Sequence, residues 1–190
     1  MSPPVYTNPI RFESGVLLGE DTFHLVTDFT CARPGHGEDR FEQDVSRWLT
    51  NPDREGARES ARLGFAEVRL YLHTDGQLIG FGAIGPDAWE LAVGGPLRLC
   101  LLHYFGVHTR FRHQPGAARE ARYGRRILGG LIEEVDRRAE FPLLGLYVDP
   151  ANPARGLYEE YGFRVLDEWP DPEEERRPWV RMLREIGPRS

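Results

Sequence analysis

The chain has 190 residues, 40% of them hydrophobic, and a formal net charge of −6, which allows one sizeable core and predicts a single domain over residues 1–190. The acidic balance argues against a nucleic-acid partner, because phosphate-backbone affinity rests on clustered positive charge. No apolar run approaches the roughly 20 residues that cross a bilayer, and nothing near Met1 reads as a secretory signal, so a cytoplasmic protein without a membrane partner is expected.

Residues 1–9 carry three prolines and little pattern and read as a flexible leader, with structure beginning near Ile10. From Phe23 to Leu49 the apolar residues Phe23, Val26, Phe41, Val45, Trp48 and Leu49 fall at helical spacings on either side of a Pro34–Gly37 break, which predicts two helices. Cys31 and Cys100 lie far apart and outside metal-ligand spacing, so both are expected as reduced thiols, Cys100 in the core, and no metal is predicted. Residues 51–62 are polar and fit either a helix extension or a solvated loop.

Two antiparallel strands, Glu67–His73 and Gln77–Ile84, are separated by the turn Thr74-Asp75-Gly76. Pro86–Pro96 interrupts the pattern, and Leu97–Val107 then gives a nearly continuous apolar run suited to a central strand buried on both faces. An arginine-rich stretch, His108–Tyr123, leads to Gly124, after which Ile127, Leu128, Leu131, Ile132 and Val135 mark an amphipathic helix. Leu143–Val148 is a further strand, and this strand–helix–strand passage predicts parallel pairing through a crossover. Asn152 and Pro153 suit the start of a helix over Ala154–Tyr161, and Gly162 suits its left-handed end. Strands at Phe163–Leu166 and Trp179–Leu183 flank a charged loop, Asp167–Arg177.

The start of the helix at Gly124 presents unpaired N–H groups that can hold a pyrophosphate, and Arg119, Arg122, Arg125 and Arg126 add guanidinium donors around it. All 24 basic residues are arginine, so neither a lysine Schiff base nor a lysine general base is available. Together with this segment, Leu157-Tyr158-Glu159-Glu160-Tyr161-Gly162-Phe163 resembles the GNAT superfamily of acetyl-coenzyme A-dependent N-acetyltransferases. The resemblance covers about Glu67–Leu183. It implies an α/β (α+β) fold: a mixed, mostly antiparallel sheet with a central splayed parallel strand pair, flanked by about four helices. By the same resemblance, the backbone of Phe105, Gly106 and Val107 meets the pantetheine arm of acetyl-coenzyme A, and Arg119, Arg122, Tyr123, Gly124 and Arg125 form the pyrophosphate loop. A second alignment puts Arg112 in the leading arginine position. Asn152 corresponds to the asparagine near the pantetheine, a role that stands beside that of a plain helix cap. Tyr158 corresponds to the tyrosine that protonates the departing thiolate; a phenol with a pKa near 10 suits that step.

The resemblance implies transfer of the acetyl group to a primary amine of a small-molecule or peptide acceptor, and it leaves a homodimer open. His103, Glu67 and a water chain are candidates for the amine's base, none of them singled out. A non-catalytic acyl-coenzyme A sensor is an alternative from another class. Asp28-Phe29-Thr30-Cys31 faintly resembles the start of GNAT toxins that acetylate aminoacyl-tRNA, which the acidic charge disfavours.

Overall fold

The computed structural model describes residues 15–32, 40–53, 55–91, 93–112, 116–169 and 179–187. The leader, the Pro34–Gly37 break and residues 170–177 of the charged loop lie outside them. In chain order the elements are β1 (Val16–Leu17), a 3-10 turn (Glu20–Leu25), α1 (Arg40–Thr50), α2 (Ala57–Arg62), β2 (Glu67–Leu72), β3 (Leu78–Leu91), β4 (Gly95–Val107), α3 (Thr109–Arg112), a second 3-10 turn (Arg119–Ala121), α4 (Tyr123–Arg138), β5 (Leu143–Val148), α5 (Arg155–Glu160), β6 (Arg164–Trp169) and β7 (Trp179–Glu185).

Among the described residues, seven strands form one sheet in the order β1-β2-β3-β4-β5-β7-β6. Among these strands the β4–β5 contact is parallel and the other five contacts described are antiparallel. That is the mixed sheet with a central parallel pair expected from the sequence, and the described residues add five α-helices, of which α3 is a single turn. On one face α4 lies against β3 and β4, burying Ile127, Leu128, Leu131, Ile132 and Val135 with Cys100, Leu102 and Leu144. On the other face α1 and α2 cover Phe81, Ala83 and Leu70 with Leu49, Ala57 and half-buried Trp48. Both cysteines are buried thiols, and Cys31 Sγ donates to the Glu42 carbonyl at 3.1 Å.

Several boundaries differ from the sequence reading. Of the first predicted helix, Phe23 lies in a 3-10 turn, with Val26 capping it, and residues 51–62 resolve into a turn followed by the short α2. Pro86–Pro96 is no break: β3 continues to Leu91, and Gly94 and Gly95 turn the chain with φ of +102° and +80° straight into β4. Proline is tolerated there because β2 stops pairing at Ile84, so its missing N–H can fall on an open edge. Asp167 and Glu168, assigned to the charged loop, belong to β6 and pair with Arg181 and Val180.

Candidate functional site

The parallel seam between β4 and β5 has only two register pairs, Cys100↔Leu144 and Leu101↔Gly145. Two residues later, β4 bulges: Leu102 pairs with Ile84 and Tyr104 with Ala83, which leaves His103 as the extra residue. A bulge bends its strand and strengthens the local twist. Beyond Leu101 the two strands therefore diverge, β4 running on to Val107 and β5 to Val148.

The wedge is lined by backbone polar groups. The His108 amide donates to the Ile79 carbonyl at 2.7 Å, and the alternation of an antiparallel ladder then turns the N–H and C=O of Phe105 and Val107 away from β3, toward the gap. Arg112 Nε donates to the Val107 carbonyl at 3.1 Å, so the second alignment's arginine sits on β4 itself and also pairs with buried Glu42. A cleft of about 890 Å³ opens here, with Leu101 to Phe105 from β4, Leu146 to Val148 from β5, Asn152, Tyr158 and Trp179, and Asp44, Val45, Arg47 and Trp48 from α1.

The N-terminus of α4 abuts the same strand end, since a Cβ on Gly124 would lie 3.6 Å from Val107 Cγ2. Arg122 caps the helix with extended backbone and no side-chain hydrogen bond, and the first turn holds no acidic residue. The first-turn N–H groups of Gly124 and Arg125 are thus directed at the space before the helix, where an anion can sit. Tyr123 is buried, its ring edge-on to Phe111 at 5.8 Å. Arg119 and Arg125 both form ion pairs with Glu160 of α5, whereas Arg122 is exposed with no partner among the described residues. Burial lowers the pKa of half-buried Arg126.

On the far side of the wedge, α5 starts at Arg155 with Ala154 as its cap, one step later than the sequence placed it. Asn152 acts two residues upstream: its Oδ1 accepts the Ala154 amide at 2.9 Å, a bond that does not use its NH₂ donors, and the residue lines the cleft. Gly162 closes the helix at φ +90°, as expected. Tyr161 donates to the Arg125 carbonyl at 2.8 Å and so ties α5 to the first turn of α4. Tyr158 is buried against Phe163, and burial pushes its phenol up to about 12. It therefore keeps its proton throughout the working range and can only give it up to a strong base formed beside it.

His103 lines the cleft, and its Nε2 is buried without a hydrogen-bond partner among the described residues, 3.1 Å from where a Cβ on Gly85 would lie. Burial lowers its pKa, opposed by the charge of Asp87, so the imidazole is neutral at neutral pH. Glu67, the other named base candidate, lies away from the cleft in a second cavity of about 400 Å³ beside Arg138. Burial disfavours its charge, but hydrogen bonds from Arg138 and Arg69 overcome this and hold its carboxyl below the usual range.

Four cleft or loop residues carry no motif in the sequence. Trp48 reads there as an ordinary core residue of α1, Tyr147 and Trp179 as strand residues, and Glu160 as spacer. The alternation of β5 marks Tyr147 as facing away from Leu146 and Val148, but nothing local says that this face is open.

No family model and no curated protein matches the chain. Solved structures do: a crystal structure of a bacterial toxin has a TM-score of 0.64 at 17% identity, covering 90% of this chain and 89% of that one. AtaTR bound with acetyl-coenzyme A gives 0.59 at 11% identity, covering 85% and 86%. A GNAT-family acetyltransferase structure from Desulfovibrio desulfuricans gives 0.53 at 18% identity, covering 87% and 90%. With its splayed parallel pair, its uncapped helix start and its tyrosine-bearing α5 in that arrangement, the chain has the fold of the GNAT acetyltransferases.

Proposed function

We propose that the protein is an acetyl-coenzyme A-dependent N-acetyltransferase, acting in the cytoplasm on a primary amine by direct attack and without a metal. The observation that carries this reading is the wedge between β4 and β5, which meets an uncapped helix start at one end and a buried tyrosine at the other.

The backbone of Phe105 and Val107 pairs with the amides of the pantetheine arm, whereas Gly106, expected from the sequence to join them, spends its own N–H and C=O on Phe81 of β3, and the Asn152 NH₂ donates from across the gap. The first-turn amides of Gly124 and Arg125 hold the pyrophosphate beside Tyr123, with guanidinium donors from Arg119, Arg122 and Arg125. In the reaction the amine nitrogen attacks the thioester carbonyl carbon, the C–S bond breaks, and Tyr158 gives its proton to the leaving thiolate. The amine's own proton leaves to water in the cleft. A phenol at about 12 is a weaker acid than in solution, but a thiolate formed in the same dry surroundings is a correspondingly stronger base. Holding both reactants in one cleft supplies the orientation on which most of the acceleration rests.

The test is thiol release from acetyl-coenzyme A with a panel of amines. Tyr158→Phe keeps the ring against Phe163 and removes the donor, so kcat is expected to fall roughly 10²-fold with little change in coenzyme A affinity. Unchanged kcat takes Tyr158 out of the mechanism. A second reading, acetylation of an aminoacyl-tRNA, is favoured by the likeness in fold to AtaT complexed with acetyl-methionyl-tRNAfMet and opposed by the net charge of −6.

A further inference from the structure

The cleft is lined by aromatic rings that pack on the core with one side and stay half-buried on the other. Trp48 of α1 lies stacked on Tyr104 at 4.1 Å and 17°, and Tyr147 and Trp179 enter from β5 and β7; all four are half-buried in the same cavity. Large rings of a closed core lose nearly all contact with water, as Phe81 and Trp89 do in this molecule. Rings left partly open and gathered around one concavity instead form a surface that awaits a ligand.

The charges are distributed differently. Among the described residues, those lining the cleft sit on one rim, Asp44 and Arg47 on α1 and Glu55 just beyond it, and these three are exposed. Asp44 and Arg47 already face one another at 3.7 Å. The floor, by contrast, is Leu101, Leu146 and Val148. A polycation or an aminated polyol would need several carboxylates inside the cavity, because burying an unpaired ammonium or hydroxyl is costly. A flat apolar body needs only ring faces, and those also attract the single ammonium it carries before that group loses its proton.

Resting on the acetyltransferase reading, we propose that the acceptor is an aromatic primary amine, its ring held between Trp48 on one wall and Tyr147 and Trp179 on the other, and its nitrogen directed toward Tyr158. The cavity of about 890 Å³ has room for such a ring beside the thioester end of the cosubstrate.

The experiment measures thiol release at fixed acetyl-coenzyme A with phenethylamine, tyramine and tryptamine, against spermidine, kanamycin and a mixed aminoacyl-tRNA pool. The aromatic arm is expected to lead in kcat/KM by about 10-fold or more, and Trp48→Ala and Trp179→Ala are each expected to lower that arm by about 10-fold, the scale of one aromatic contact. Calorimetric affinity for coenzyme A should stay unchanged in both variants. Trp48 also stacks on Phe81, so thermal melting accompanies the assay, and Trp179 on a separate strand gives an independent variant. Equal or better turnover of spermidine, kanamycin or aminoacyl-tRNA overturns the proposal. So do variants that leave the aromatic preference intact, and so does coenzyme A binding with no turnover of any aromatic amine. Failure to bind coenzyme A at all removes the acetyltransferase reading instead, which keeps the two failures apart.

Discussion

Glu160 occupies both Arg119 and Arg125, two of the guanidinium groups that a pyrophosphate at the start of α4 would recruit. The hydrogen bond from Arg125 and the charge of both arginines hold the Glu160 carboxyl below its usual range, so it competes with phosphate at every pH near neutrality. Replacing Arg119, Arg122 and Arg125 by alanine should weaken coenzyme A binding by about 10-fold or more, as expected for loss of charge-assisted phosphate contacts. Glu160→Gln removes the competitor and should tighten it; calorimetry on both variants checks the pair, and weaker binding in Glu160→Gln would show that the carboxylate aims the arginines rather than blocks them. His103 gives a second residue-level expectation. Its folded pKa lies below the ordinary 6.5, so the unfolded chain takes up the proton first. The melting temperature should therefore fall as pH drops from about 6.5 through the lower folded value, and His103→Gln should blunt that fall. His108 shifts the same way through burial, partly offset by a hydrogen bond with Asp28, so the comparison is made against the single variant.

At the level of elements, α4 was the most legible part of the chain, because five apolar residues at helical spacing bury one continuous face. Its close approach to the sheet was not legible: it depends on Gly82 of β3, where a Cβ would stand 2.1 Å from Leu131 Cδ1. Leu131 is 1% exposed and has no room to yield, so Gly82→Ala should cost about 1–3 kcal/mol by overpacking. Denaturant unfolding of Gly82→Ala, Leu131→Ala and the double variant checks this, with the double variant less destabilised than the sum of the singles. The strand at Leu97–Val107, the parallel pairing and the left-handed Gly162 could likewise be read from composition and turn chemistry. The outer part of the β3–β4 hairpin could not, because proline and glycine signal an interruption wherever the open side of a strand is unknown. The bulge at His103 left no trace either, since register depends on the partner strand. The same limit hid the aromatic cleft: Trp48, Tyr147 and Trp179 are far apart in sequence and meet only once α1, β5 and β7 are placed.

Across the whole molecule, the sheet consists of an antiparallel block, β1 to β4, joined to a second block, β5 to β7, by two rungs and by what packs over them. Cys100 and Leu144 at that seam belong to the core beneath α4, so the helix clamps both blocks together where hydrogen bonding is thin. Coenzyme A binding to the folded chain alone should raise its thermal stability, by about 2.7 kcal/mol when the ligand stands at 100 times its dissociation constant.

The wedge makes part of β4 an edge strand inside the molecule. The amides of Phe105 and Val107 face that edge, while Leu99 to Leu102, between two neighbours or next to them, belong to the sheet's interior. In deuterated water the free protein should therefore label Phe105 and Val107 early and the seam late, although these positions lie only a few residues apart on one strand. A ligand with amides of its own would complete the ladder, and the early pair would then exchange as slowly as the rest.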